Sequence, residues 1–196
     1  MKLLYTKRSP YARKVRVIAL EKHIPLEFIE EDLTNKTPRL TAVNPLGKIP
    51  TMIFDDGWTL CDSPVICAYL DTLKSRPRFI PAQGKKRWEI LHYAAVADGL
   101  MDVTVAAYME RVRHPQNANE DFIKAQEESV KRCLKFFNDS LHRWEGLNIA
   151  AVAVASAIGY IQFRLGHLAP STETRVLKNW FDRFSHRPSM TATVPG

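Results

Sequence analysis

Three short stretches near the start of the chain combine residue types able to hold and activate a small anionic or peptide-like molecule. The first is Ser9-Pro10. Serine before proline opens a helix, with the serine as N-cap and the proline at the first helical position. The Ser9 hydroxyl oxygen then accepts from a first-turn N–H, and its own proton points outward. A hydroxyl donor at the positive end of a helix lowers the pKa of a nearby thiol; capping alone is the other reading of Ser9. The second stretch is Asn44-Pro45-Leu46-Gly47-Lys48-Ile49-Pro50, followed by the apolar run Thr51-Met52-Ile53-Phe54. It reads as a loop delivering a strand, with Pro50 at the strand entrance, where the missing N–H costs no ladder bond. A cis Ile49–Pro50 bond is expected. It would present the Ile49 main chain, which can pair with a peptide-like ligand as an added strand does. An ordinary proline-bounded loop is the alternative. The third stretch, Asp62-Ser63-Pro64, repeats the Ser-Pro helix start and offers a second anion site at a helix N-terminus.

The elements that must position these residues follow from pattern. Lys2–Tyr5 and Leu26–Glu31 read as strands on either side of a helix from Tyr11 to Lys22. That helix carries Tyr11, Val15, Ile18 and Ala19 on one face, with Arg13, Lys14 and Arg16 away from it. A short helix near Pro38–Val43, two strands and a helix from Val65 to Leu73 complete the order. This is a thioredoxin-like α/β arrangement, assigned to residues 1–75. Ser75–Gly84, with two prolines, a glycine and two arginines, reads as a linker.

Everything beyond reads helical, and residues 84–196 are expected to form an all-α domain. Lys85–Arg113 is a long helix, with Asp98, Asp102, Tyr108 and Arg111 as its polar or amphipathic points. Glu120–Arg143 places Phe122, Leu134, Phe137 and Leu141 on an apolar face. Ile149–Leu165 is apolar nearly all round. It is shorter than the roughly 20 residues a membrane span needs, so it reads as the hub of a bundle. A last helix near Thr172–His186 packs Val176, Leu177, Trp180, Phe181 and Phe184, and the tail from Arg187 is expected to add no element.

Composition sets the outer bounds. The 196 residues are 45% hydrophobic and 25% charged, as in ordinary globular proteins. The three cysteines, Cys61, Cys67 and Cys133, are widely spaced and form no C-x-x-C, which argues against a disulfide framework and fits a reducing compartment. Cys61 and Cys67 read as small buried hydrophobes. The start has no long apolar run of the secretory kind, so a cytoplasmic location is expected. The net charge of +7 forms no long block and no nucleic-acid-binding module, which makes nucleic acid an unlikely partner and leaves attraction of small anions as the second reading after a solvated surface. No metal-ligand cluster, P-loop or dinucleotide-binding fingerprint is present.

The run Ser9-Pro10-Tyr11-Ala12-Arg13-Lys14-Val15, the run Asn44–Pro50 and the pair Asp62-Ser63, in this order and spacing, resemble the glutathione S-transferase family, and specifically its bacterial, cytosolic, serine-type members. The resemblance covers nearly the whole chain and is strongest over Lys2–Thr72. It implies a thioredoxin-like glutathione-binding domain followed by a helical domain, a homodimer, and addition of the glutathione thiolate to an electrophilic small molecule. By resemblance Ser9 stabilises the thiolate. The Ile49 backbone, entered through Pro50, pairs with the cysteinyl unit. Asp62 takes the γ-glutamyl ammonium, Ser63 takes the γ-glutamyl carboxylate, and Lys36 or Lys48 takes the glycine carboxylate. Arg13, one turn beyond Ser9, is a secondary candidate to lend charge to the sulfur. Tyr108 and Arg111 are secondary candidates for the second-substrate pocket or a partner surface. Tyr5, which ends the first strand, is expected in the core.

The same motifs are shared by glutathione-dependent isomerases and dehalogenases of the family, and by non-catalytic relatives that bind a protein; a thiol transferase would need a cysteine in place of Ser9. One departure stands out. Relatives begin the central helix of the second domain with a Ser/Thr-x-x-Asp box, whereas here the run is Asn148-Ile149-Ala150-Ala151. Restoring the carboxylate with Ala151→Asp is expected to stabilise the protein by about 0.5–1 kcal/mol through the cap and the helix dipole.

Overall fold

A computed structural model describes residues 1–34 and 37–196. The chain divides into two compact units, one of Met1–Ile80 with Pro188–Gly196, the other of Pro81–Arg187.

The first unit is built on a four-stranded sheet of β1 (Lys2–Tyr5), β2 (Glu27–Glu30), β3 (Thr51–Ile53) and β4 (Thr59–Leu60), in the order β2-β1-β3-β4. β2 runs parallel to β1, while β3 is antiparallel to both β1 and β4. Consecutive residues Leu3 and Leu4 have no exposed surface, so both faces of β1 are covered. β2, exposed over much of its length and carrying glutamates at both ends, is the charged edge that discourages further strand pairing. The helices are α1 (Pro10–Glu21), α2 (Pro38–Val43) and α3 (Ser63–Leu73), and α1 packs on α3.

Three expectations for this unit change. Arg13 and Lys14 are not on a solvent face; α1 is buried almost all round, with Arg13 4% and Lys14 1% exposed. For Arg13 the reason lies in the tail, which does form an element: α8 (Pro188–Thr191) returns against α1. Arg13 donates to the Met190 carbonyl (3.0 Å) and Thr193 Oγ1 (3.4 Å), and Ser189 donates to Glu21. Second, Cys67 is buried but Cys61 is exposed. Third, the stretch read as a linker is a pinned lid on this unit's core over its first half. Phe79 and Ile80 are buried, and their N–H groups donate to the two Asp71 carboxylate oxygens at 2.8 and 2.9 Å. Lys22 donates to the Lys74 and Pro77 carbonyls, each at 2.7 Å.

The second unit is helical: α4 (Gly84–Arg113), α5 (Glu120–Trp144), α6 (Ile149–Arg164) and α7 (Arg175–Ser185). α6 is its hub, as its all-round apolarity implies; every residue from Ile149 to Ile161 is buried, and α4 packs against both α5 and α6. By length and composition α4 would suffice to cross a membrane, but here it is a core helix burying Ile90, Tyr93, Ala97, Leu100 and Met101. Rings of Phe137, Trp144, Trp180 and Phe184 follow one another from α5 to α7, with Trp144 and Trp180 edge to face at 4.8 Å.

Leu177, Trp180, Phe181 and Phe184 are buried as expected, whereas Val176 and Phe122 are exposed. On α5 the neighbouring Ile123 takes the buried position in place of Phe122. Asn148 caps α6 by accepting from the Ala151 N–H at 3.0 Å, and its amide donates to the Trp144 carbonyl at 2.9 Å. Ala151 itself has no exposed surface. A carboxylate at position 151 would therefore be buried, a cost that the cap and dipole gains expected of Ala151→Asp do not include.

Candidate functional site

The strand directions bring the three sequence motifs to one end of the sheet. β1 ends at Tyr5, and the chain continues to Ser9. Because β3 is antiparallel to β1, with Leu4 opposite Thr51, β3 begins at that same end, and Ile49-Pro50 precede it there. β4 runs antiparallel to β3, with Leu60 opposite Met52, so it too ends there, and Asp62-Ser63 follow. Parallel β2 delivers Glu30 and Glu31 to the same rim. Residues far apart in sequence thus share one edge of one small unit.

Ser9 is the N-cap of α1, with extended backbone. Its Oγ accepts the Ala12 N–H at 3.2 Å, while Pro10 stands in the first turn. The hydroxyl is half-buried, and its own proton has no acceptor among the described residues. It is a donor placed beside the positive end of a twelve-residue helix.

The Asn44–Pro50 loop is knotted by a residue to which sequence reasoning gave no role. Asn44, 2% exposed, donates its amide to the Lys48 carbonyl (2.9 Å) and Thr51 Oγ1 (3.0 Å), and its Oδ1 accepts the Leu46 N–H (3.0 Å). Gly47 takes the left-handed conformation, φ 55°, that closes this turn. The available signal was the Asn-Pro pair itself, since asparagine side chains close turns onto the backbone two residues on. The Ile49–Pro50 bond is cis, as expected. Among the described residues the Ile49 main chain makes no hydrogen bond, and the residue is 9% exposed. The Lys48 side chain is exposed. Lys36 lies outside the described residues. The residues just beyond it are held by Glu31, whose closed-off carboxylate accepts from Thr37 Oγ1 (2.7 Å) and twice from Arg39 (2.9 and 2.6 Å).

At the start of α3 the roles of the two polar residues differ from the sequence reading. Asp62, not Ser63, is the N-cap: its carboxylate accepts the Ser63 N–H, and Ser63 and Pro64 form the first turn. An aspartate is as good a cap as a serine and adds charge at the helix N-terminus, so it takes the position. Ser63 is released from capping. It is 1% exposed, and its buried Oγ has no hydrogen-bond partner among the described residues. An orphaned hydroxyl at a helix N-terminus is costly unless an acceptor arrives.

The secondary candidates are occupied elsewhere. The Arg13 guanidinium is spent on the C-terminal turn, and burial, aided by Arg16, lowers its pKa to about 10. Arg111 is exposed and pairs with Glu120 (2.7 Å) and Glu127 (3.6 Å), tying α4 to α5. Tyr108 lies under Arg164, the guanidinium carbon 4.3 Å from its ring centre. Tyr5 is in the core, in edge contact with Phe28.

Residues 3–78 match the glutathione S-transferase N-terminal domain. Over 168 residues the chain is 32% identical to the uncharacterized GST-like protein YibF of Escherichia coli strain K12, covering 84% of this chain and 83% of that one. A glutathione S-transferase of Methylobacillus flagellatus KT, solved with glutathione bound, superposes with a TM-score of 0.93 at 35% identity, over 100% of this chain and 99% of that one. A glutathione transferase family member of Pseudomonas fluorescens Pf-5, solved with S-(propanoic acid)-glutathione, gives 0.89 at 35% identity, with full coverage of both (100% and 100%).

Proposed function

The chain belongs to the glutathione S-transferase family, and from that premise we propose that it transfers the thiolate of glutathione to the electrophilic carbon of a small molecule. The observation that carries the reading is the shared rim. Ser9, the main chain of Ile49, unbonded among the described residues, and the orphaned Ser63 hydroxyl all lie at one end of the sheet. Glutathione needs donors and acceptors of this kind for its sulfur, its cysteinyl amide and its γ-glutamyl carboxylate.

In this reading the Ser9 O–H donates to the sulfur, and the α1 N-terminus adds positive potential, so the thiol loses its proton to solvent near neutral pH. The thiolate then attacks the electrophile. A C–S bond forms, and either a leaving group departs or an unsaturated acceptor takes a proton. Ile49 holds the cysteinyl unit through its N–H and C=O. Asp62 attracts the γ-glutamyl ammonium while capping α3, and Ser63 donates to the γ-glutamyl carboxylate. Lys48 or Lys36 takes the glycine carboxylate as a flexible point charge. The family premise also supports a cytoplasmic homodimer.

Calorimetric titration with glutathione, followed by turnover against haloaromatic, haloalkane and unsaturated-acid electrophiles, tests the reading. The acid ligand of the Pseudomonas protein is the reason to include the last class. Glutathione binding with formation of a thioether product is expected. Binding without turnover on any electrophile would leave a non-catalytic glutathione binder, and absence of binding would remove the reading.

A further inference from the structure

Arg164 stands in the last turn of α6, where a cation complements the helix dipole. Its surroundings go further than that role requires. The guanidinium carbon lies over two rings, 4.3 Å from the centre of Tyr108 and 4.0 Å from that of Phe163. Tyr160, one turn earlier on the same helix, is 5% exposed; burial pushes its phenol pKa up, and the charge and hydrogen bond of Arg164 act against that push. Arg111, on the facing helix, has two glutamates, whereas Arg164 has no carboxylate partner among the described residues. Its Nε is buried without any hydrogen-bond partner among them.

A buried donor of a charged group left without an acceptor is expensive. A guanidinium is also a rigid fork, matched in plane and spacing to a carboxylate. Two aromatic rings fix that plane here; Arg164 as a residue is half-buried, and Phe163 is 36% exposed beside it.

We infer that Arg164, with Tyr108, Phe163 and Tyr160, forms a site in the helical unit for the carboxylate of a small aromatic or unsaturated acid. The rings take the apolar body of the acid, and the fork takes its carboxylate. The site goes beyond the transferase reading and does not rest on it.

The test uses the full chain without glutathione, titrated by calorimetry with cinnamate and with its neutral isostere cinnamamide. A charge-assisted bidentate contact predicts that cinnamate binds about tenfold more tightly. Arg164→Met should erase that preference. Arg164→Gln, which keeps a donor toward Tyr160 but loses the charge, should erase it too, and it carries the test if circular dichroism shows the methionine variant unfolded. Equal affinity for the two probes in the wild-type protein, or a preference for cinnamate that survives in a folded Arg164 variant, overturns the site. A separate glutathione titration of the wild-type protein reads the transferase proposal independently, so failure of either is recognised by itself.

Discussion

Lys22 Nζ and Asp71 Oδ1 face each other at 3.1 Å with neither side chain open to solvent (0% and 7% exposed). The pair joins the end of α1 to the end of α3, and each partner reaches on to the backbone that leaves this unit. Lys22 takes the Lys74 and Pro77 carbonyls, and Asp71 takes the Phe79 and Ile80 N–H groups. Removing one partner of a buried pair leaves the other charged and uncompensated, at a cost of about 3–5 kcal/mol. Asp71→Asn should therefore lower the urea midpoint sharply. It should also open the 75–80 segment to trypsin at Arg78, the bond after Arg76 being protected by Pro77. A loss below about 1 kcal/mol, within the range of exposed pairs, would mean that the backbone contacts, not the charges, hold this lid.

The role of Ser9 divides into two measurable parts. Ser9→Ala removes the acceptor for the Ala12 N–H, which should cost about 1 kcal/mol of stability as for other N-caps. If the hydroxyl also donates to bound glutathione, the variant should raise the pKa of the bound thiol and slow conjugation at neutral pH, with affinity changing less. Thiolate absorbance of the complex, followed against pH, reads the pKa directly. An unchanged pKa and rate, together with a lowered melting temperature, would leave Ser9 as a cap and nothing more.

Asp62→Asn tests a residue with two claims on it. Asparagine also caps helices well, so α3 should survive and stability should change little. Losing the charge should weaken glutathione more than an analogue lacking the γ-glutamyl ammonium. Equal losses for the two ligands in calorimetry would confine Asp62 to its contact with the Ser63 N–H.

How far the sequence reaches can be judged from particular residues. The order of elements in the first unit was legible because Ser9-Pro10, Thr37-Pro38 and Asp62-Ser63-Pro64 punctuate the chain with local chemistry, and caps and prolines act locally. The hub helix was legible because nothing between Ile149 and Ile161 is charged. Arg13, Lys14 and Lys22 were not legible. The burial of Arg13 depends on a tail nearly 180 residues away in sequence, and that of Lys22 on carbonyls of the 74–77 turn. Asn44 and Glu31 differ, since their partners lie within eight residues; for Asn44 the Asn-Pro pair was a local signal, whereas nothing in the sequence marks Glu31 as the acceptor for Thr37 and Arg39. At α3 the residue types were read correctly and their division of labour was not, because aspartate and serine are both good caps and only the backbone decides between them.

The start of α6 reverses a sign. A carboxylate at position 151 would bond back toward the Asn148 N–H and favour the helix dipole, together a gain of about 0.5–1 kcal/mol at an exposed helix start. This start is not exposed. Ala151 has no accessible surface, its neighbours Ala150 and Val152 have none, and its own N–H is already taken by Asn148. A carboxylate placed there must shed water on every side in exchange for at most one hydrogen bond, and burial of a charged group on such terms costs several kcal/mol. The larger effect wins, so Ala151→Asp should destabilise by about 2 kcal/mol. The neutral control Ala151→Ser, with a smaller polar group, should cost less. Thermal melts of the three proteins in one buffer decide the point. A melting temperature for Ala151→Asp at or above that of the wild-type protein would mean that the new carboxylate reaches the Asn148 N–H and that the helix start yields enough room to accept it.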